Sequence, residues 1–258
     1  MLREREAPMK IFWTLLRREL SAYFFSLTGY VIIAAVTFLI GESFAQLIDG
    51  LGTDPWPMPV TQMFFGSIYF WMIVLLVSPV ITMRLFALEK ASGTFETLMT
   101  TPVGDFQVVA AKFAAALVFY VVMWLPLLIC LLIVGRFTNQ ASALDSGTVG
   151  GMYLGIFLAG GFFLSFGCLA SALTRSQMAA AMISLAFGIS QFALAWWAKN
   201  NPVSEQWQSQ LLSCLNIFDQ MNDFARGVVD TRAVIFYASV TMLFLFLTLR
   251  LVESRRWK

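Results

Sequence analysis

Six long stretches of the chain contain no charged residue. They run from Leu20 to Gly41, Pro55 to Met83, Phe113 to Gly135, Ser146 to Thr174, Ser176 to Ala198 and Ala233 to Leu249. A helix that crosses a bilayer needs about 20 predominantly apolar residues, within a range of roughly 17–25. Each stretch meets that requirement. The sequence therefore predicts six transmembrane helices, at approximate positions 28–48, 63–83, 113–135, 149–173, 178–198 and 232–250.

Composition and pattern both favour helices in a lipid environment. Only 12% of the residues are charged, whereas soluble domains have roughly 25%. Strands could cross a bilayer only as a closed barrel, whose segments of about ten residues alternate between apolar and polar side chains. Continuous apolar runs such as Met72–Val77 do not alternate. We therefore predict an all-α integral membrane protein, with an N-terminal segment over 1–27 and a six-helix domain over 28–258.

Lysine and arginine residues are unevenly divided between the two sides that six spans would create. Thirteen lie on the side of the two termini and of the second and fourth loops, and four lie on the opposite side. Short loops rich in Lys and Arg remain in the cytoplasm. We therefore expect both termini of this multi-pass protein to be cytoplasmic.

The segment 9–26 has the pattern of an interfacial helix, which lies in the headgroup layer with its basic side toward anionic lipid. A helical wheel separates an apolar side from a polar side: Phe12, Leu16, Leu20 and Tyr23 against Lys10, Arg17, Arg18 and Ser21. Glu19 breaks this pattern because it falls near the apolar side. It either extends to the headgroup layer or binds a partner.

The second loop, 84–112, contains the most informative local signals. Ser92-Gly93 interrupts any helix that continues from the second span. A new short helix can follow, because Thr94 can cap it and Glu96 lies near its positive N-terminal end. Its apolar face would consist of Phe95, Leu98 and Met99. Pro102 and Gly104 would end it. We predict a short amphipathic helix over Thr94–Thr101, either a surface connector or a contact for a cytoplasmic partner.

Glycine and proline mark the third and fourth spans. Gly151 and Gly155 have the spacing with which membrane helices approach closely, and Gly160 and Gly161 follow. Close helix packing is one interpretation of these glycines, and a moving gate helix is the alternative. Pro126 predicts a kink in the third span.

Two outer segments differ in character. The first, roughly Asp49–Gln62, is proline-rich and contains Trp56, so we expect a short rigid loop at the interface. The second, Lys199–Arg232, has apolar residues at helical spacing. It predicts one or two amphipathic helices that re-enter the outer leaflet or cap its surface.

Several chemistries are absent from the sequence. No lysine follows a glycine, so the phosphate-binding P-loop is missing and the chain is not expected to hydrolyse ATP by itself. There is no histidine, the commonest metal ligand, and the three cysteines show no metal-binding or disulfide spacing. We therefore expect no catalytic residue, no metal and no nucleic-acid partner.

Short motifs recur in one order along nearly the whole chain. They are Arg18-Glu19-Leu20-x-x-Tyr23-Phe24; Glu89-Lys90-x-x-Gly93-Thr94-x-Glu96-x-Leu98-x-x-x-Pro102 followed by Lys112; Phe218-x-x-x-x-x-Phe224-x-x-Gly227-x-x-Asp230; and Arg250-x-x-x-x-Arg255-Arg256-Trp257. With this topology the chain resembles type-2 ABC transporter permeases, close to the permease subunit of gliding-motility-type ABC transporters.

The resemblance implies a coupling helix that docks into a separate ATPase subunit. It would use Glu89, Gly93, Thr94, Phe95, Glu96, Leu98 and Pro102, beside an interfacial helix with Arg17, Arg18 and Glu19. It also implies a second permease half, identical or homologous, in a bacterial inner membrane whose lipids surround it. ATP and Mg²⁺ would bind to the ATPase, and this chain would hold no cofactor.

The expected function is therefore the membrane-spanning permease of an ATP-driven exporter. A non-transporting membrane anchor or scaffold of a motility or envelope-assembly complex is the alternative. An ion-coupled carrier would require charges within the membrane. Only Glu42 meets that condition, near the outer end of the first span, where it either reaches the interface or lines a translocation path.

Overall fold

A computed structural model describes residues 2–51, 60–94, 104–138, 146–200 and 215–256, and within these ranges every regular element is an α-helix. In chain order the helices are α1 (Leu2–Phe24), α2 (Leu27–Leu51), α3 (Val60–Gly66), α4 (Ile68–Thr82), α5 (Ala87–Ser92), α6 (Asp105–Met123), α7 (Leu125–Thr138), α8 (Ser146–Leu173), α9 (Gln177–Asn200), α10 (Ile217–Ala225) and α11 (Thr231–Arg256). The all-α prediction is confirmed for the part of the chain that the structure describes.

Six segments are long and apolar enough to cross a membrane, as the sequence predicts. They are Leu27–Gly50, Ile68–Ser92, Asp105–Arg136, Gly147–Leu173, Gln177–Ala198 and Thr231–Ser254. The third is longer than the predicted 113–135, because the helix starts at Asp105 and continues through Lys112, a cation that is buried within the protein. The uncharged stretch thus marks only part of this helix.

The glycine-rich helix α8 lies at the centre and packs against α4, α6, α9, α10 and α11. A Cβ atom on Gly160 would lie 2.3 Å from the ring of Tyr120, and one on Gly167 would lie 2.1 Å from the Thr82 hydroxyl. Gly161 differs, because its Cβ would meet only Thr241 at an ordinary 3.6 Å. Most of these glycines thus lie where neighbouring helices approach too closely for any side chain.

The first outer segment is shorter than expected. We predicted a loop over Asp49–Gln62, but α2 continues to Leu51 and α3 already starts at Val60. Burial of aromatic side chains explains the extra helix: Phe64 packs edge-on against Trp124 at 6.2 Å, and the Thr61 hydroxyl donates to the Ala225 carbonyl at 2.8 Å. Trp56 lies outside the described residues.

The third span breaks where a proline indicates that it should. Helix α6 ends at Met123 and α7 begins at Leu125, one residue before Pro126. Proline lacks the amide hydrogen that would continue the ladder of backbone hydrogen bonds. The Trp124 carbonyl at the break accepts a hydrogen bond from the Tyr153 hydroxyl of α8 at 3.0 Å, so the neighbouring helix satisfies a backbone group there.

The second outer segment folds back onto α8. Asn216 caps the start of helix α10, because its side chain accepts hydrogen bonds from the backbone amides of Phe218 and Asp219. Its buried face includes Phe224, which packs against two glycines of α8. A Cβ atom added to Gly151 would lie 2.7 Å from the Phe224 carbonyl oxygen, and one added to Gly155 would lie 3.0 Å from the Phe224 Cβ atom. This G-x-x-x-G pair therefore receives the short outer helix. Residues 201–214 lie outside the described part of the chain.

Candidate functional site

After α4 ends at Thr82, the chain forms a short helix and then a left-handed turn. Helix α5 ends at Ser92, and Gly93 follows with φ of 74°, a conformation that residues other than glycine rarely adopt. The Thr94 hydroxyl lies 2.8 Å from that of Ser92 and donates to the Glu89 carbonyl at 3.4 Å. The remaining predicted coupling residues, Phe95, Glu96, Leu98 and Pro102, lie outside the described residues.

The C-terminal end of α8 holds α5 in place. The Ser171 hydroxyl oxygen accepts hydrogen bonds from the backbone amides of Phe86 at 3.0 Å and Ala87 at 3.1 Å. The Lys90 ammonium group donates to the Ala172 carbonyl. These bonds satisfy amide groups at the start of α5 that have no partner within the helix. Helix α5 is thus attached to the central helix of the fold.

Lys112 of α6 joins two carboxylates from different helices. Its Nζ atom lies 2.8 Å from Oε1 of Glu89 on α5 and 3.2 Å from Oε1 of Glu19 on α1. The lysine side chain is 3% exposed, and those of Glu19 and Glu89 are 12% and 19% exposed. A buried ammonium group is tolerated only with such partners.

Arg18 completes this ion cluster, which we define as Arg18, Glu19, Glu89 and Lys112. Its guanidinium lies 2.7 Å from Glu19 and 3.5 Å from Glu89. The hydrogen bond to Glu19 raises the pKa of Arg18. Arg17, the other predicted basic residue of α1, is exposed.

Glu19, which was expected either to extend to the headgroup layer or to bind a partner, is paired with Arg18 and Lys112 of its own chain. The side of α1 on which it lies packs against α6, where the ring of Tyr23 stacks on Phe119 at 5.0 Å. The Tyr23 hydroxyl donates to the Ile81 carbonyl at 2.9 Å, which also joins α1 to α4. The apolar side that the sequence predicts for α1 thus packs against protein.

Sequence reasoning missed the pairing of Lys112 with both carboxylates. A signal was present: Lys112 lies among apolar residues close to the third uncharged stretch, and Glu19 lies on the apolar side of its own helix. Two opposite charges on apolar helix faces indicate a buried pair. Only the packing of α1 against α6 brings them together.

The cluster contains one unsatisfied atom. Oε2 of Glu89 is buried and has no hydrogen-bond partner, whereas Oε1 of the same carboxylate bonds to Lys112. A buried acceptor without a donor costs about 1–3 kcal/mol. The described arrangement of α1, α5 and α6 therefore leaves a hydrogen bond that a different arrangement could form.

The opposite ends of the spans carry a cavity of about 460 Å³ that no charged side chain lines among the described residues. Amide and hydroxyl groups line it: Ser43, Gln46, Gln62, Ser67, Tyr69 and Asn222. Glu42, on an exposed face of α2, accepts a hydrogen bond from the Gln46 amide at 3.2 Å. Within the described residues no group of histidine, cysteine and acidic side chains could hold a metal ion, and Cys130 and Cys168 are free thiols.

The six apolar segments define a multi-pass membrane protein whose ion cluster joins the N-terminal helix α1 to α5 and α6. A family model described as ABC-2 family transporter protein matches residues 19–252, and the chain belongs to this family. It is thus a membrane permease of an ABC transporter, a class that works with an ABC ATPase. A comparison with curated proteins found no match.

Proposed function

We propose that this permease couples ATP hydrolysis by a separate ATPase subunit to the export of a substrate across a bacterial inner membrane. The excess of Lys and Arg on the side of the termini supports a cytoplasmic position for the ion cluster. ATP and Mg²⁺ bind to the ATPase, and this chain has no ATPase activity. Six spans form one half of the pathway, and an identical or homologous chain supplies the other half.

The observation that carries the proposal is the shared contact of Lys112 with Glu89 and Glu19. Glu89 belongs to the short helix that ends just before Gly93, where the proposed ATPase contact begins. Because Glu89 bonds to Lys112 of α6 and Lys112 bonds to α1, a displacement of α5 acts on both helices. In this mechanism the ATPase moves the segment after Gly93, and the ion cluster transmits that movement to the third span.

The proposal is tested by reconstituting the permease with the ABC ATPase that co-purifies with it. Cysteines at positions 95 and 98 should crosslink to the ATPase. The substitutions Gly93→Pro, Glu96→Lys and Lys112→Met should lower substrate-stimulated ATPase activity while the protein still inserts into the membrane. Arg175→Gln is the matched control, since it removes an exposed cation outside the ion cluster, and it should retain the activity of the unsubstituted complex.

Two outcomes would contradict the proposal. If crosslinks from both positions never capture an ATPase, the segment after Gly93 is not the docking site. If a complex with an inactive ATPase supports motility or envelope assembly in cells as well as the active complex does, the chain serves as a scaffold and not as a transporter. The resemblance to gliding-motility-type permeases stays a prediction, and the motility of cells that lack the chain would test it.

A further inference from the structure

A cavity of about 660 Å³ lies beside the ion cluster, among α1, α2, α4, α5 and α6. Its size falls within the range of roughly 300–1,000 Å³ that is typical of ligand pockets. One part of its wall is apolar and includes Ala22, Ile32, Val80 and Leu88. The other part is ionic and polar, so the cavity suits a molecule with an apolar body and a charged end.

The polar lining of the cavity lies where α2 begins and α4 ends. Thr28 belongs to the first turn of α2, and Arg84 follows the C-terminal end of α4 by two residues. Ile32 and Val80 lie about one turn farther into the same two spans. With a rise of about 1.5 Å per residue, the polar part of the cavity stands at headgroup depth and the apolar part extends toward the acyl chains.

Arg84 also lines this cavity but does not belong to the ion cluster. Its guanidinium donates to the Thr28 hydroxyl at 2.9 Å, and among the described residues it forms no salt bridge. Arg18 and Lys112, by contrast, pair with Glu19 and Glu89. Three cations and two carboxylates line the cavity, so one positive charge remains. A guanidinium with free donors matches the geometry of a phosphate group.

We propose that this cavity binds an anionic glycerophospholipid from the surrounding bilayer. The phosphate group contacts Arg84 at the first turn of α2, and an acyl chain lies against Ile32 and Val80. Basic pockets between membrane helices bind acidic lipid headgroups for the same electrostatic reason. The bound lipid contacts α1 and α4 beside the ion cluster. This inference does not depend on transport, because lipid binding is measured on the permease alone.

The test measures lipid binding to the purified full-length permease by native mass spectrometry, with phosphatidylglycerol and phosphatidylcholine as probes. We expect one tightly held phosphatidylglycerol per chain and several-fold weaker binding of phosphatidylcholine. Arg84→Gln should weaken phosphatidylglycerol binding about tenfold or more, because it removes a charge-assisted bond. Arg175→Gln, which removes an exposed cation on the same side but outside the cavity, should leave binding unchanged.

Two further arms identify the source of the phosphate and the place of the acyl chain. Glycerol 3-phosphate should fail to displace phosphatidylglycerol, because it lacks the apolar part; equal competition would overturn the lipid assignment in favour of a soluble phosphate ester. Ala22→Trp fills the apolar part and should weaken both lipids, with the melting temperature confirming that the protein is folded. Equal binding by the Arg84→Gln and Arg175→Gln proteins would also overturn the proposal.

Discussion

Replacing Lys112 by methionine removes the cation that Glu19 and Glu89 share. Methionine has a similar length and keeps the apolar part of the contact with Phe86, over whose ring the ammonium group lies at 5.5 Å from the centroid. Two carboxylates then remain partly buried with only Arg18, whose side chain is half exposed, to balance them. Breaking a buried ion pair from one side typically costs about 3–5 kcal/mol.

This cost should be visible in thermal unfolding of the purified permease. About 3–5 kcal/mol corresponds to a decrease in melting temperature of about 6–20 °C for a chain of this size. The triple variant Lys112→Met, Glu19→Gln and Glu89→Gln should regain most of the loss, because no buried charge is left unpaired and Arg18, which loses its partners, is half exposed. Arg17→Ala, an exposed change on α1, should stay within about 0.5 kcal/mol of the unsubstituted protein.

Two results would refute this role of the ion cluster. If the triple variant melts no higher than Lys112→Met alone, uncompensated charge does not explain the loss. If Lys112→Met melts like the Arg17→Ala control, the ion cluster does not hold α1, α5 and α6 together. Either result would also remove the basis for transmission through this cluster.

Three other substitutions test the packing around the site by thermal unfolding. Gly160→Ala should destabilise by about 1–3 kcal/mol because its Cβ would overlap a tyrosine ring, whereas Gly161→Ala should be neutral or stabilising; equal melting temperatures would refute the close approach. Ser171→Ala should cost about 1–3 kcal/mol because two buried amides lose their acceptor, with Ser190→Ala, an exposed hydroxyl, as the unaffected control. Gly93→Ala should cost about 1–2 kcal/mol because of its left-handed backbone, and an unchanged melting temperature would contradict that conformation.

Much of the architecture could be predicted because the bilayer limits the choices. A long uncharged stretch has few alternatives to a spanning helix, so the six spans and the break near Pro126 follow from the sequence. Helix ends were predicted less well. Burial of Lys112 allows α6 to begin at Asp105, and aromatic packing turns Val60–Gly66 into a helix. Both depend on neighbours that are distant in the sequence.

Only part of the candidate site could be predicted from the sequence. Its residue types and the turn at Gly93 could be read locally, since glycine after a short polar stretch favours a left-handed turn. The contact between Glu19 and Lys112 could not, because these residues are far apart in the chain and belong to helices whose faces are both apolar. Arg84 likewise reads as an ordinary loop cation until α2 and α4 bring Thr28 beside it.

The sequence by itself determined the solvent, the number of segments able to cross a membrane and the unequal division of the basic residues among the loops, because these depend on hydropathy and charge counts along the chain. Tertiary structure alone decided which charges are paired and where a cavity opens. Pair energies and cavities depend on distances of a few ångströms between helices, and linear spacing does not specify those distances.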